Sequence, residues 1–599
     1  MNSSPPLRGH SVGHPPPSFW NRSWPWFAII GMAILACVLG YLGFKKHALA
    51  TESGDTTLDL AYRTLQLFVL ESGYHQGGIP WQLEVARVLA PLVPAWAVMQ
   101  ALRSIFREQR EAFWLRRRRD HVVICGLGRK GLQLVSDFRR AGENVVVIER
   151  DESNPRLGTC RYLGARTLIG SCSDKSMLSR ALVDRARYVI LITGDDGTNV
   201  ETAILVHQLV RERNKKIKGT VRCFIHVVGL NLCRLLERHD LLSTPDVKLD
   251  TYIFNSFQNS ARSLLEAHPL EPVGFGRDDP RSVHLVVFGF GKMGESVALQ
   301  AAKLGHYANG KPLRITIIDE EAPKRHASFS NRYPQIDKIS DVKMDFVEAN
   351  DENLELLSRL RTWAFDPDTI TSIAVCLDGD STSLTCALNI ITALQPVSVP
   401  IFVRMSQESG LATLLEERPG SCDWADNIHA FGMTKFNSTR NILLNRKRDI
   451  LARAFHRDYV KKRLEEGHPQ TNPSMQAWDN LSSDLHESNR QMADHIPVKL
   501  RATACYRAAS SKDELLEEFG EIEAELLARM EHERWCAERF ISGWKHGVTN
   551  HDEKTSANLV DWEGLESAVR DYDRQAVHCI PRILNLVEES IFRTPNSGQ

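Results

Sequence analysis

Two glycine-rich turns are the residues of this chain best suited to chemistry, and that chemistry is phosphate binding. Each turn has the spacing G-x-G-x-x-G and follows an apolar, strand-like run. The glycines are Gly126, Gly128 and Gly131 in the first turn, and Gly289, Gly291 and Gly294 in the second. Such glycines allow a phosphate to approach closely, and the helix that follows supplies amide donors and a positive dipole. We therefore predict a nucleotide site at each turn.

A carboxylate stands at the end of the next strand-like run after each turn. The run Val145–Ile148 closes on Glu149, and the run Arg314–Ile318 closes on Asp319. An acidic side chain about twenty residues after such a turn can accept the hydroxyl groups of a ribose. The alternative is a degenerate fold that keeps its glycines for packing.

The elements around the turns must be parallel strands and helices. His121–Cys125 has the apolar continuity of a buried parallel strand. Later strand-like runs end in the polar loops Ser171–Asp174 and Gly194–Asn199, at the sheet edge where ligands bind. The pattern recurs after about 170 residues. We therefore predict two α/β, Rossmann-like, doubly wound parallel-sheet domains, at residues 121–275 and 282–460.

The second copy differs from the first in its spacing. Phe254-Asn255-Ser256 recurs as Phe436-Asn437-Ser438, but the interval before Asp319 is longer and includes Asn309-Gly310-Lys311. The first turn is therefore expected to be the better candidate for a working site, and remodelling of the second remains open.

Two apolar segments precede the first domain. Residues 1–23 are rich in Pro, Ser and Gly and are predicted to be disordered. About twenty uncharged residues follow Trp24, and a second apolar stretch runs from about Ile79 to Ile105. We predict two membrane spans within residues 24–105. The alternatives are a signal peptide for the first segment and a soluble amphipathic or buried helix for the second.

A pore-loop-like segment and a basic linker complete the membrane part. Between the spans, residues 58–78 have helical spacing and then glycines, the layout of a pore-loop channel, but the K⁺-filter sequence T-V-G-Y-G is absent. Residues 106–120 form a basic linker with four successive arginines, and such a cluster marks the cytosolic side. We therefore expect a multi-pass protein of the cell (inner) membrane, with the N-terminus and the large C-terminal part cytosolic.

The composition gives no reason to expect nucleic-acid or metal binding. Lys+Arg and Asp+Glu balance at 74 each, so net charge does not favour a nucleic-acid partner. The 12 cysteines include no CxxC pair, and no Cys/His cluster has the spacing of a zinc site. We predict no metal.

The glycine turns and the segments around them resemble the RCK (TrkA-N) family, the cytosolic regulators of potassium channels and transporters. The resemblance covers roughly residues 120–460 and rests on GLGRKG, the acidic strand end, IGSCSD and TGDDGTN. It implies a regulatory NAD(H) or adenine nucleotide (ATP, ADP or AMP) and a homo-oligomer, dimer or tetramer. The residues that it implies at the sites are Gly126, Gly128, Arg129, Gly131, Glu149, Arg150, Ser171, Thr193, Gly194 and Asp195 in the first, and Gly289, Gly291, Lys292, Gly294 and Asp319 in the second.

The C-terminal residues carry a second resemblance. A helical connector is predicted at residues 461–512, followed by a small, mainly α-helical domain at 513–592. The combination HExW…GW…DR, from His532 to Arg574, resembles the Ryr domain of ryanodine receptors and bacterial proteins. An aromatic and basic cleft there could clamp a nucleotide-like ligand, the alternative being a structural tryptophan cluster. The cleft residues are Trp535, Arg539, Trp544, Lys545, Trp562 and Arg574.

The leading hypothesis is a membrane-bound ion channel or transport protein, with potassium as the candidate ion, gated by nucleotide binding to its cytosolic domains. The Ryr module would sense a second ligand or a partner. A membrane-anchored nucleotide sensor without a pore is the alternative. An NAD-dependent oxidoreductase is disfavoured, because hydride transfer needs a catalytic domain over the nicotinamide and a second Rossmann copy stands there instead. We predict no catalytic residue.

Overall fold

The computed structural model describes residues 19–51, 53–69, 78–116, 120–213, 219–229, 247–350, 353–396, 399–406, 427–432, 446–469 and 472–595, together with residues 232 and 440. The chain forms two compact units that divide between Arg119 and Asp120. Most of the predicted disordered tail, the predicted glycine turn between the spans and the recurrence Phe436-Asn437-Ser438 lie outside the described residues.

The N-terminal unit is helical. Its helices are α1 (Phe19–Ala50), α2 (Thr57–Gln66) and α3 (Trp81–Arg116), and a 3₁₀ turn at Leu67–Val69 follows α2. Within them, Ile29–Ala50 and Trp81–Gln100 are long and apolar enough to cross a membrane, and most of each is unburied. α1 begins inside the predicted tail, and α3 continues through most of the predicted basic linker.

Glycines in α1 allow the three helices to pack closely. A Cβ on Gly43 would lie 2.7 Å from the backbone nitrogen of Leu83 in α3. A Cβ on Gly40 would lie 2.9 Å from Thr64 Cγ2 in α2. Small residues at such crossings are typical of helices that pack against each other in lipid. The helical spacing predicted between the spans is confirmed by α2 and its 3₁₀ extension.

Two six-stranded parallel sheets dominate the larger unit, in the orders β3-β2-β1-β4-β5-β6 and β12-β11-β10-β7-β8-β9. If the strands of each sheet are numbered from one in chain order, and the second sheet is read from β9 to β12, both orders are 3-2-1-4-5-6. This is the doubly wound Rossmann order that the sequence predicted. The strands are β1 (His121–Cys125), β2 (Val145–Glu149), β3 (Arg166–Ile169), β4 (Ala186–Leu191), β5 (Val221–His226), β6 (Leu249–Phe254), β7 (Ser282–Phe288), β8 (Leu313–Asp319), β9 (Val342–Glu348), β10 (Thr369–Val375), β11 (Ile401–Arg404) and β12 (Ile428–Phe431).

We call residues 120–254 the first lobe and residues 256–432 the second lobe. The first sheet is accompanied by α4 (Arg129–Arg140), α5 (Arg156–Tyr162), α6 (Lys175–Arg180) and α7 (Asp196–Arg213). The second lobe contains α8 (Ser256–Ala267), α9 (Lys292–Leu304), α10 (Ala322–Arg332), α11 (Leu354–Phe365) and α12 (Asp380–Leu394).

Residues 446–595 form the C-terminal module, which is mainly helical as predicted. Its helices are α13 (Arg446–Glu465), α14 (Ser483–Ala502), α15 (Glu521–Ile541), α16 (Ser567–His578) and α17 (Ile580–Leu584). A three-stranded sheet joins β13 (Cys505–Ala508), β17 (Ser590–Arg593) and β14 (Leu515–Leu516), and β15 (Lys545–His546) pairs with β16 (Thr555–Ser556).

The two lobes differ in where their cores end. A buried cluster of the first lobe, which includes Leu134 and Tyr188, consists of first-lobe residues. One cluster of the second lobe instead runs from Ala261 through Val297 to Ile591. α8, which the sequence assigned to the first domain, therefore packs with the second lobe. The predicted helical connector contributes α14 to this same core.

Candidate nucleotide site

The first glycine turn connects β1 to α4 in a conformation that needs glycine. Gly126 has φ +102°, in the region that favours glycine, and a Cβ there would lie 2.8 Å from Ile192 O. A Cβ on Gly131 would lie 2.2 Å from Gly126 O, so α4 starts in direct contact with the turn. Both positions exclude larger residues and fix the first turn of α4 against the sheet.

Gly128 has a different role, because its surroundings are open. Its φ of −71° and ψ of −171° are ordinary, and a Cβ added there would meet nothing within 4 Å. Gly291 is open in the same way. Each stands at the N-cap of a helix of 12 or 13 residues, where backbone amides are unpaired. The open space over that helix end is where a phosphate can approach.

The two strand-end carboxylates tie their glycine turns in place. Glu149 Oε2 accepts the backbone amide of Leu127 at 2.8 Å, and Asp319 Oδ2 accepts that of Phe290 at 2.7 Å. The other oxygen of each carboxylate accepts the amide two residues further along the chain, at 2.9 Å in both copies. A carboxylate oxygen can accept a second hydrogen bond, so these bonds leave capacity for ribose hydroxyls.

The structure brings the other predicted residues of the first site to the same sheet edge. Gly126 abuts Thr193, since its Cβ would lie 3.0 Å from Thr193 Cα, and Gly194 follows as open, exposed backbone. Asp195 Oδ2 accepts the amide of Thr198 at 2.6 Å, which lowers the pKa of Asp195. The remaining members, Arg129, Arg150 and Ser171, also follow or begin elements at this edge. The predicted residues therefore gather where the carboxyl ends of β1 to β4 meet.

The second turn is built like the first, despite its longer interval to Asp319. The inserted Asn309 donates to Asp279 O and Arg281 O, and β8 begins afterwards at Leu313. The insertion thus lies at the amino edge of the sheet, away from the turn. What distinguishes the second site is Arg325, whose Nε lies 3.6 Å from Asp319 Oδ1 and competes for that carboxylate.

Sequence reasoning missed three residues near the turns. Lys130 Nζ donates to Ser256 Oγ at 2.5 Å and lies 3.4 Å from His226 Nε2. Burial, with Arg404 and Lys292 adding to it, lowers the pKa of Lys130 to about 8. Lys130 stands inside the glycine motif and could have been considered, whereas nothing in the sequence brings His226 or Arg404 near it.

The predicted cleft of the C-terminal module divides into two clusters. Arg539 lies over Trp535 and Trp544, 5.6 and 4.6 Å from the ring centroids, and Lys545 is exposed beside them. Trp544 Nε1 has no hydrogen-bond partner in the described part of the chain, and Arg539 Nε lies 3.8 Å from Glu538 Oε2.

The other two cleft residues belong to a packed, structural pair. Trp562 is 6% exposed and donates to Glu525, while Arg574 binds Glu525 and Asp571 at 2.6 Å each. These bonds raise the pKa of Arg574 and occupy its guanidinium. Trp544 and Arg539 are as buried as Trp562, at 5% and 6% exposed, whereas Trp535 is half-buried and Lys545 is exposed.

Two family models match the chain. Residues 122–223 match the TrkA-N domain, and residues 511–591 match the RyR domain. Both resemblances that the sequence suggested are thus confirmed. The TrkA-N match lies in the first lobe and the RyR match in the C-terminal module.

Relatives with assigned names are proteins of potassium transport. Potassium channel protein 1 of Methanocaldococcus jannaschii is 24% identical over 98 residues, 16% of this chain and 29% of that protein. The Trk system potassium uptake protein TrkA of Streptomyces coelicolor is 30% identical over 95 residues, 16% of this chain and 42% of that protein. The chain therefore spans less than half the length of these relatives.

Solved structures of one channel also align with the chain. The structures of GsuK bound to ADP and of the GsuK channel bound to NAD are 16% and 12% identical to it, with TM-scores of 0.35 and 0.36. The alignments cover 71% and 82% of this chain and 98% and 87% of those chains.

Proposed function

We propose that this protein is a membrane-bound ion channel or transport protein, with potassium as the candidate ion, controlled by a nucleotide at the first glycine turn. The observation that carries the proposal is the open space at Gly128, over the start of α4, within a TrkA-N domain. The apolar lengths of α1 and α3 and the potassium-transport names of the relatives support the membrane part of the proposal.

The ligand would be NAD(H) or an adenine nucleotide. Its phosphates would take the amides at the start of α4, and Glu149 would accept ribose hydroxyls while it keeps its bond to the Leu127 amide. The ligand can control conduction only if its affinity differs between the open and closed states. Because two spans cannot enclose a pore alone, conduction would require a homo-oligomer, a dimer or tetramer, with its nucleotide-binding lobes in the cytosol.

The variant Gly128→Ala tests the nucleotide site without disturbing the fold. The new methyl group meets no protein atom but occupies the phosphate space. We expect nucleotide affinity to fall about tenfold or more, since a lost charge-assisted hydrogen bond costs about 1.5–3 kcal/mol. Gly158→Ala is the matched control, because that glycine is equally unobstructed and lies in α5, away from the turn.

Two measurements on the full-length protein decide the outcome. Thermal shift with ADP, AMP and NAD reports binding, and rubidium flux into liposomes reports conduction with and without the nucleotide that binds. A wild-type protein that responds to no nucleotide contradicts the proposal, as does the absence of flux. A stronger loss with Gly291→Ala than with Gly128→Ala would move the working site to the second turn.

A membrane-anchored sensor without a pore is the second candidate, favoured by the missing T-V-G-Y-G sequence. It predicts nucleotide binding without flux in the same assays. In either case we propose that the RyR domain is a second sensor of a ligand or partner. Trp535, which is half-buried, and the exposed Lys545 are the cleft residues that a ligand could reach, and a ligand stacked on Trp535 would quench tryptophan fluorescence.

A further inference from the structure

A cavity of about 90 Å³ lies where the second lobe meets the C-terminal module. Helices α8 and α9 line it from the second lobe, and α13, α14 and β13 line it from the module. A cavity of about 150 Å³ can hold a benzene molecule, so this space takes about four non-hydrogen atoms. Among the described residues that line it, none belongs to a glycine turn or to the aromatic cleft. We call it the junction cavity.

Gln300 in α9 lines the junction cavity with an amide that has no partner. The residue is 6% exposed, and its side chain makes no hydrogen bond within the described part of the chain. Native proteins rarely leave a buried amide unpaired, because it has lost its bonds to water without replacing them. The amide therefore indicates that a polar guest occupies the cavity.

The carboxylates around the junction cavity are already engaged. Asp494 accepts Arg448 through both oxygens, at 2.9 and 2.8 Å, and Arg262 Nε at 2.9 Å. Glu266 accepts Arg507 Nη2 at 3.1 Å, and its side chain is 62% exposed, so solvent screens its charge. These pairs leave the wall of the cavity with few free hydrogen-bond acceptors.

Two arginines of the module keep unused donors. Arg501 binds the Glu271 carboxylate through Nε and Nη2, and its Nη1 makes no hydrogen bond among the described residues. Arg507 donates through Nη2, its Nε lies 3.7 Å from Glu589, and its Nη1 is likewise unused within those residues. With the amide of Gln300, these groups offer N–H donors to the cavity. A complementary guest must supply acceptors, and a guanidinium favours an anionic one.

The rest of the cavity wall is largely apolar. It includes Leu265 and Leu304 on the lobe side, and Leu451, Pro497 and Val498 on the module side. A short hydrocarbon group can pack against these side chains. Inorganic phosphate would instead place oxygens against them without hydrogen-bond partners, which is unfavourable. The wall therefore favours a carboxylate that carries a small apolar group.

We infer that the junction cavity binds a small monocarboxylate with a short hydrocarbon chain. The carboxylate would accept hydrogen bonds from Arg501 Nη1, Arg507 Nη1 and the Gln300 amide, and the chain would lie against the leucines. Because both sides of the junction line the cavity, the bound carboxylate would strengthen the contact between the second lobe and the C-terminal module. The site is separate from the proposed nucleotide site and does not depend on it.

The experiment measures thermal unfolding of the full-length protein in detergent with propionate, chloride or inorganic phosphate at equal ionic strength. Gln300→Leu removes the amide at nearly constant volume, and Arg507→Gln removes a charge. Arg593→Gln is the matched control, since Arg593 lies on the neighbouring strand β17, pairs with Glu523 at 2.9 Å and does not line the cavity.

We expect propionate to bind wild type and Arg593→Gln with a dissociation constant of about 1 mM, as so few atoms allow. At ten times that concentration the unfolding temperature should rise by about 2 °C. Each cavity variant should bind propionate at least tenfold more weakly. Without propionate, Gln300→Leu should unfold no earlier than wild type, because it removes an unpaired buried amide. A lost response in that variant then reports binding rather than stability.

Three results would overturn the inference. Equal unfolding temperatures of wild type in propionate and in chloride would mean that the cavity holds water only. A shift with phosphate as large as that with propionate would exclude the carboxylate assignment. A propionate response that both cavity variants retain in full would place the binding elsewhere. No nucleotide is present in these measurements, so each of these results leaves the proposed nucleotide site standing.

Discussion

The first and second lobes hold their glycine turns in the same way but are anchored differently. A Cβ would lie 2.2 Å from the turn's own carbonyl at Gly131 and 2.0 Å at Gly294. Beyond the turns, the first lobe has a buried cluster of its own residues, whereas a second-lobe cluster continues into α14, α15 and α17. The same turn structure therefore occurs in two lobes whose buried cores differ in extent. A ligand bound at the first turn would act on a lobe with its own core, and one bound at the second turn on a lobe whose core continues into the C-terminal module.

The largest effect should come from placing a methyl group at the tightest glycine of each turn. Gly131→Ala and Gly294→Ala each force a shift of backbone against backbone, at a cost of about 3 kcal/mol. The first lobe contains no tryptophan, whereas Trp544 and Trp562 lie in the C-terminal module. We expect Gly294→Ala to lower the urea midpoint of tryptophan fluorescence, and Gly131→Ala to leave it unchanged while proteolysis of the first lobe accelerates. A lowered fluorescence midpoint in both variants would show that the cores unfold together.

The next effect concerns a buried ion pair within the C-terminal module. Lys499 in α14 donates to Glu531 in α15 at 2.5 Å, with both side chains at most 2% exposed. Lys499→Met should destabilise the module by about 3 kcal/mol, because a buried carboxylate loses one of its partners. Lys175→Met is the control in the first lobe. It removes a pair with Glu212 whose two side chains are 46% and 55% exposed, and should cost less than about 1 kcal/mol. An equal loss of unfolding free energy in the two variants, measured by urea unfolding, would contradict the expected difference between a buried and an exposed ion pair.

The smallest effect is a pH dependence where the second lobe meets α15. Burial and the nearby Asp341 raise the pKa of Glu533 to about 6. A pKa raised on folding favours the folded state below that pH and disfavours it as the carboxyl ionises above it. Glu533→Gln should therefore gain up to about 2 kcal/mol relative to wild type at pH 8 and little at pH 5. A constant difference between the two proteins across this range would exclude Glu533 as the titrating group.

Much of the fold was predictable because its signals are local. The strand predicted at His121–Cys125 has those same bounds in the structure, and the glycine turn and acidic strand end follow it within one supersecondary unit. The TrkA-N and RyR resemblances rest on similarly short motifs. The C-terminal cleft was less predictable, because residue type does not reveal which tryptophans a helix buries. Trp544 and Trp562 are 5% and 6% exposed, whereas Trp535 in α15 keeps part of its surface accessible.

The sequence by itself determined two Rossmann units, their glycine-rich turns, two apolar helices and the motifs that match the RyR domain, since periodicity and glycine spacing act over a few residues. Tertiary structure alone decided which parts share a core and which charges meet. It placed α8 with the second lobe and α14 in the same core, and it buried Lys130 near Arg404, so that burial first and Arg404 second lower the pKa of that lysine. Contacts between residues hundreds of positions apart depend on how lobes dock, and no local pattern encodes that geometry.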